Sequence, residues 1–278
     1  MMVYLLHCFD LFFVNIFEGK KGVIIGIANE RSLCWGIAQE CLNAGARLAV
    51  SYLDITESRV RGLIEGKNAV ASKCDVSSDE NIGEFFNFVK QELGEIDFLV
   101  CAPAFASKEA LKGDYMDVSR ADFLQAMDIS VYSLTAVCKT FAPILKDGSS
   151  ILTLSYYGAE KIIPNYNVMG VAKAALEASV RYLANDFGKL GIRVNSLSAG
   201  PVKTLASSAI GGFKKVLSFG EEVSPLKRNT TQADIGKTAL FLLSDASSGI
   251  TAENIHVDCG LNAVGMYFRE ENKDEAKA

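Results

Sequence analysis

From Gly19 onward, seven short apolar runs alternate with stretches long enough for helices, and this alternation constrains the fold more than any other feature. The runs are Gly22–Gly26, Arg47–Leu53, Ala69–Asp75, Ile96–Ala102, Ser149–Ser155, Arg193–Ala199 and Asn254–Asp258. Most are rich in Val, Ile and Leu without a polar alternate face, as parallel strands covered by helices on both sides must be. Helices are expected over Ser32–Gly45, Asp79–Leu93, Ala121–Leu145, Asn165–Phe187 and Gln232–Leu243. The first closes on Asn-Ala-Gly, a stop signal, and the second opens on Ser-Ser-Asp-Glu, a capping pattern. The predicted fold class is α/β: a single Rossmann-type, doubly wound, parallel seven-stranded sheet over residues 19–268. Linkers, repeats and composition breaks are lacking, so one domain is expected, followed by a polar tail at 269–278 that frays.

Residues 1–18 form an apolar extension. His7 and Asp10 interrupt its apolar run, which has no basic leader and no small-residue cleavage site. It is short for a membrane span, so it reads as an upstream start or as a surface-packed segment, and a soluble protein is expected. The net charge of −5, with no more than two adjacent basic residues, argues against nucleic acid as a partner. Seven scattered cysteines (Cys8, Cys34, Cys41, Cys74, Cys101, Cys138, Cys259) lack a C-x-x-C pair. They read as reduced thiols of a cytoplasmic protein, with no metal site expected.

The first strand runs into Gly26-Ile27-Ala28-Asn29-Glu30-Arg31-Ser32 and then a helix. A glycine there lets backbone approach a pyrophosphate, and the helix N-terminus offers free N–H groups to it. The turn could equally just connect two elements, and the usual G-x-G-x-x-G is absent; its place after the first strand favours nucleotide binding. The second strand ends Ser51-Tyr52-Leu53-Asp54 with no basic residue before Arg59, which favours NADH over NADPH. Asp75, ending the third strand, suits an adenine amino group, and it also suits capping of the helix that follows.

The stretch from Ser155 to Lys173 carries the chemistry. Seven helical steps come to about 700°, within about 20° of two turns, so Tyr166 and Lys173 share a face if a helix begins near Asn165. A lysine beside a phenol favours phenolate and can lower its pKa. Spacing alone leaves this open, because tyrosine and lysine recur at such intervals on ordinary helix faces.

Three segments, GKKGVIIGIANERSLCWGIA, SYYGAEKIIPNYNVMGVAKAALEASVRYLAND and RVNSLSAGPVKTLAS, resemble the bacterial enoyl-acyl carrier protein reductases, a divergent short-chain dehydrogenase/reductase family. The likeness covers about Gly19 to Gly260. Ordinary members of that superfamily place a tyrosine four residues before the lysine and a serine thirteen before that tyrosine. Here those positions hold Met169 and Tyr156, whereas the Tyr-x6-Lys of the enoyl reductases is intact.

The resemblance implies hydride transfer from NADH to the β-carbon of a trans-2-enoyl thioester carried on acyl carrier protein. Tyr166 would donate a hydrogen bond to the thioester oxygen, Lys173 would hold the nicotinamide ribose, and Tyr156 would line the acyl site. Gly26, Ser32, Leu33, Leu53, Asp75, Val76, Ala102, Val202 and Thr204 would contact the cofactor, and Ala104, Met169 and Phe213 the acyl chain. Ala206–Pro225 reads as a mobile lid, with Lys214 and Lys215 facing an acidic carrier or simply solvent. Pro103 and Ala104 depart from a Ser-Ile-Gly-Phe-like run in relatives, and Cys259 stands where a glycine is common. Relatives are commonly homotetramers. A β-ketoacyl-carrier-protein reductase and a catalytically idle NAD-binding regulatory protein are the alternatives.

Overall fold

Apolar side chains on consecutive strand residues point to opposite faces, so both faces of the sheet need cover. The computed structural model, which describes residues 16–204, 207 and 211–267, has that cover. Its strands are β1 (Lys21–Ile25), β2 (Arg47–Tyr52), β3 (Ala69–Lys73), β4 (Ile96–Cys101), β5 (Leu145–Tyr156), β6 (Arg193–Ala199) and β7 (Asn254–Val257). They form the expected single parallel seven-stranded sheet, in the order β3-β2-β1-β4-β5-β6-β7. Ile24, Val50, Leu152 and Leu197 enter one core with Trp35, Ile37, Ile235 and Leu242. Val23, Ile25, Leu99, Ile151 and Val194 enter the other, with Ile82, Phe85, Phe141, Leu176 and Val180.

The helices are α1 (Leu33–Asn43), α2 (Glu57–Ile64), α3 (Asp79–Glu92), α4 (Arg120–Met127), α5 (Ser133–Phe141), α6 (Val168–Gly188), α7 (Phe213–Val223) and α8 (Gln232–Leu243). Three expectations need correction. The helix placed over Ala121–Leu145 is two helices joined by a π-helical segment, Asp128–Tyr132, and Leu145 already belongs to β5. The strand placed over Ser149–Ser155 begins at Leu145: the β4–β5 register shifts between Ile96 and Phe98, so Lys146–Ser149 bulges at Asp-Gly before the regular ladder resumes at Ser150. The helix placed over Asn165–Phe187 begins only at Val168.

Much of the lid segment is also helical, as α7 over Phe213–Val223; residues 205, 206 and 208–210 lie outside the described residues. The sequence reading missed α2, which is charged and buries only Val60. Of the N-terminal extension, residues 1–15 lie outside the described set, as do residues 268–278 with the tail. Phe17, however, is buried against Phe98, its ring centroid 5.2 Å away. No helix among the described residues is long and apolar enough to cross a membrane.

Candidate active site

The order β2-β1-β4-β5 reverses direction between β1 and β4, which opens a crevice at the carboxyl ends of those strands. The turn after β1 forms one lip. Ser32 Oγ accepts hydrogen bonds from the backbone N–H groups of Ala28 and Asn29, each 3.0 Å away, and Asn29 Oδ1 accepts from Arg31 N–H at 2.9 Å. The Ser32 hydroxyl therefore shapes the turn and makes no cap bond to α1, whose first N–H groups lie beyond reach of the intrahelical ladder.

Gln232, at the start of α8, braces the turn from behind by donating to the carbonyls of Glu30 (3.0 Å) and Ser32 (2.8 Å). Its distance in sequence hid it from the motif reading. Gly26 has φ +121°, and a Cβ there would sit 3.2 Å from the Ala102 backbone and from Cys34 Sγ. The cradle therefore fits a dinucleotide phosphate only with glycine at this position.

Further out, Leu53 is exposed at the end of β2, and Asp75 and Val76 are half-buried after β3. Asp75 accepts from the Ser77 N–H (3.0 Å) and hydroxyl (2.7 Å), which holds its carboxyl below the usual range. The capping of α3 falls to Ser78 instead, whose Oγ accepts from Asn81 N–H at 3.3 Å. Lys73, arriving from β3, pairs with Asp54 at 2.7 Å, so a cation does stand beside the end of β2. A linear reading that looked only downstream of Asp54 missed it. Val202 and Thr204 follow β6, with Thr204 and Ser207 bonding each other through N–H and hydroxyl groups. On the opposite lip, Ala102 N–H donates to Ile25 O at 3.1 Å, and Ala104 is exposed. Cys259 has φ +60°, the left-handed region, which is why a glycine suits that position.

Tyr166 is not on a helix. It sits in a turn two residues ahead of α6, between Asn165 (φ +62°) and Asn167 (φ +38°). Asparagine tolerates this region better than most residues, and each side chain here ties down a separate loop. Asn165 donates to Gly211 O at 2.8 Å and Asn167 to Gly113 O at 3.2 Å. The ring lies over Gly158, where a Cβ would fall 2.4 Å from Tyr166 Cδ1. Tyr156 meets it edge-on, with centroids 4.9 Å apart. Leu111, Tyr166 and Met169 form a buried cluster with Ala106, Tyr156 and Ile163 against it. Phe213 is buried at the start of α7 but is not part of that cluster. Ser130 connects the π segment to the far wall: its hydroxyl donates to Phe105 O and accepts Phe105 N–H, and it lies 3.8 Å from Met169 Sδ.

Lys173 is 5 % exposed and donates to Leu154 O at 2.7 Å. Burial lowers its pKa to about 8, partly countered by the fields of Cys34, Glu177 and Cys101. Tyr166 is pushed well above the usual tyrosine value by burial and then by Tyr156, which burial itself raises to about 12. The expectation that Lys173 lowers the phenol pKa is therefore reversed: desolvation and then the Tyr156 phenol set its direction, and both raise it. Tyr166 remains a phenol, a hydrogen-bond donor, throughout the neutral range.

A parallel sheet with a phosphate-fitting turn at its switch point, and a buried tyrosine and lysine after the fifth strand, define a Rossmann-type oxidoreductase of the short-chain dehydrogenase/reductase class. The enoyl-(acyl carrier protein) reductase family profile matches residues 26–262, and the chain belongs to that family. The chain is 52 % identical to enoyl-[acyl-carrier-protein] reductase [NADH] 1 of Rhizobium meliloti over 254 residues, 91 % of this chain and 93 % of that one. It is 48 % identical to the Bacillus cereus NADH enoyl reductase FabI, covering 91 % of this chain and all of the other. The crystal structure of the Anaplasma phagocytophilum reductase in complex with NAD superposes with a TM-score of 0.87 at 49 % identity, covering 93 % and 98 % of the two chains. The Bacillus cereus reductase with NADP+ and an indole naphthyridinone gives 0.89 at 47 % identity, covering 91 % and 100 %.

Proposed function

We propose that this chain is an NADH-dependent enoyl-acyl carrier protein reductase of fatty acid synthesis, with Tyr166, Lys173 and Tyr156 as its working side chains. The observation that carries the reading is the buried cluster of Tyr166, Tyr156 and Met169 within an enoyl-reductase family chain. Met169 and Tyr156 stand where a carbonyl reducer needs its tyrosine and serine, and neither can do that work.

NADH, when bound, supplies the hydride that adds to the β-carbon of a trans-2-enoyl thioester. Tyr166, held neutral by burial, donates a hydrogen bond to the thioester oxygen as negative charge develops there. Lys173 holds the nicotinamide ribose hydroxyls as an ammonium anchored on Leu154 O. Gly26, Ser32 and Leu33 would hold the pyrophosphate at the start of α1, and Leu53, Asp75, Val76, Ala102, Val202 and Thr204 would contact the rest of the cofactor. Tyr156 and Met169, with Leu111 and Ile163 of the same cluster, would face the acyl chain, and Ala104 and Phe213 would meet it from outside that cluster.

The decisive assay follows NADH oxidation with a trans-2-enoyl thioester and then a β-ketoacyl thioester. Turnover of the first alone is expected; turnover of only the second, or of neither, refutes the reading. Lys214 and Lys215 dock the acidic carrier. Reversing both charges should raise KM for carrier-borne substrate several-fold and leave a coenzyme A analogue unchanged, and equal effects on both would refute docking. The chain works in the cytoplasm as a homotetramer. Free thiols at all six described cysteines support the first, and the groove lined by the apolar side chains of Leu124, Met127, Val131 and Tyr132 supports the second. Sedimentation of the purified protein tests the oligomer, and a monomer would refute it.

A further inference from the structure

Helix α6 touches the end of β5 at two places one helical turn apart. Lys173 donates to the Leu154 carbonyl, and Ser155, the next strand residue, donates to Glu177 Oε1 in a very short hydrogen bond. Lys173 and Glu177 are i and i+4 on one helix face, yet Glu177 accepts from the strand rather than pairing with the lysine. The residue after Ser155 is Tyr156, whose ring meets Tyr166. Both contacts therefore set the position of groups that meet substrate or cofactor.

The polar character continues sideways across the sheet. Ser155 is in register with Ser198 on β6, and Ser198 with His256 on β7, so the three side chains form a row on the α6 side. Ser198 Oγ is buried without a hydrogen-bond partner among the described residues, and His256 Nε2 is 2.7 Å from Glu160 Oε1. A row of polar groups that leaves one buried hydroxyl unpaired is not explained by packing, since apolar side chains would fill the same space more favourably.

We propose that Glu177 is a positioning residue for the reaction: through Ser155 it holds the end of β5, hence the Leu154 carbonyl and Tyr156, in register with the helix face that carries Lys173, and it is the carboxylate counter-charge to that lysine. The proposal rests on the role given to Lys173 above. The groups acting on Lys173 are the Cys34 thiol on α1, the Cys101 thiol ending β4, and Glu177. Neither thiol ionises at working pH, because burial pushes both far up, so Glu177 supplies the negative charge. Glu177 in turn faces Ser155, Glu160, His256 on β7 and Arg181 on its own helix, and burial raises its carboxyl above the usual range. Its field opposes desolvation of the ammonium and extends the pH range over which Lys173 stays charged.

The test uses the full chain and measures NADH binding by fluorescence titration between about pH 6 and 9.5, with kcat on a crotonyl thioester. Wild-type binding should weaken toward alkaline pH as Lys173 loses its proton, and K173M should bind weakly with no such limb. E177Q, isosteric and still able to accept from Ser155, should match wild type near pH 6 and bind about threefold more weakly near pH 8. S155A keeps the charge and loses the clamp. It should keep the shape of the wild-type pH profile, because the carboxylate remains, while kcat falls about tenfold. An E177Q profile that superimposes on a wild-type profile with an alkaline limb overturns the proposal, as does an unchanged kcat in S155A. A wild-type profile as flat as that of K173M overturns the Lys173 reading and this one with it, a distinguishable failure. Should E177Q not fold, the kcat of S155A decides alone.

Discussion

Lys173 sits where its charge is least welcome, and the cost can be read from the fold. An ordinary lysine titrates at 10.5, whereas burial under α6 lowers this one to about 8. Below about pH 8 both folded and unfolded chains carry the proton, and the folded state bears the full penalty. The gap corresponds to about 3 kcal/mol. Lys173→Met removes that penalty and fills similar volume, but it strands the Leu154 carbonyl, which costs about 1 kcal/mol. The net gain is about 2 kcal/mol, or about 5 °C in Tm for a chain of this size. The sign with pH follows from the direction of the shift. As pH rises from about 8 towards 10.5, the unfolded wild-type chain still holds a proton that the folded chain has released, so wild-type stability rises and its deficit closes. Thermal unfolding of both proteins without cofactor, at neutral pH and near pH 9.5, measures this. A variant no more stable than wild type at neutral pH, or an advantage that does not shrink with pH, would refute the reasoning. The variant should also lose most NADH binding, so that stability and function move in opposite directions.

Tyr166→Phe removes the proposed donor to the developing oxyanion and should lower kcat about a hundredfold while NADH affinity stays within about twofold; equal kcat would exclude Tyr166 from the mechanism. Gly158→Ala places a Cβ 2.4 Å from the Tyr166 ring, so the ring must move, and kcat should fall at least tenfold with NADH KM preserved. Wild-type turnover in that variant would show that the ring position is not critical. Gly26→Ala forces a side chain into φ +121° beside the Ala102 backbone, costing about 2 kcal/mol of stability. It should raise the KM for NADH about tenfold, and a variant with normal stability and KM would refute the cradle.

The sheet was legible because its signal is local and redundant. Each central strand buries consecutive apolar residues, and nearly every strand end falls within two residues of its expected place. Two kinds of feature escaped. One was α2, whose single buried residue Val60 makes too weak a stripe to read. The other was every brace that reaches across the chain: Gln232 behind the phosphate turn, Lys73 beside Asp54, and Glu177 on Ser155. Nothing in the spacing of such residues marks them, because their meaning comes from which strands are neighbours.

Tyr166 reaches the candidate site by a route other than the one its spacing suggested. The two-turn arithmetic required a helix running through Asn165, but two residues with positive φ flank the tyrosine and α6 starts after it. Its site is made instead by strain and by emptiness. The asparagines hold a backbone path that a regular helix would forbid, each anchored to a different loop, and Gly158 leaves the space that the ring fills. Such a placement can be sensitive to closure of the loops around the crevice in a way that a helical tyrosine could not be. Gly113 and Gly211, the two carbonyl partners, lie on segments far apart in the chain, so movement of either pulls directly on a residue next to the phenol.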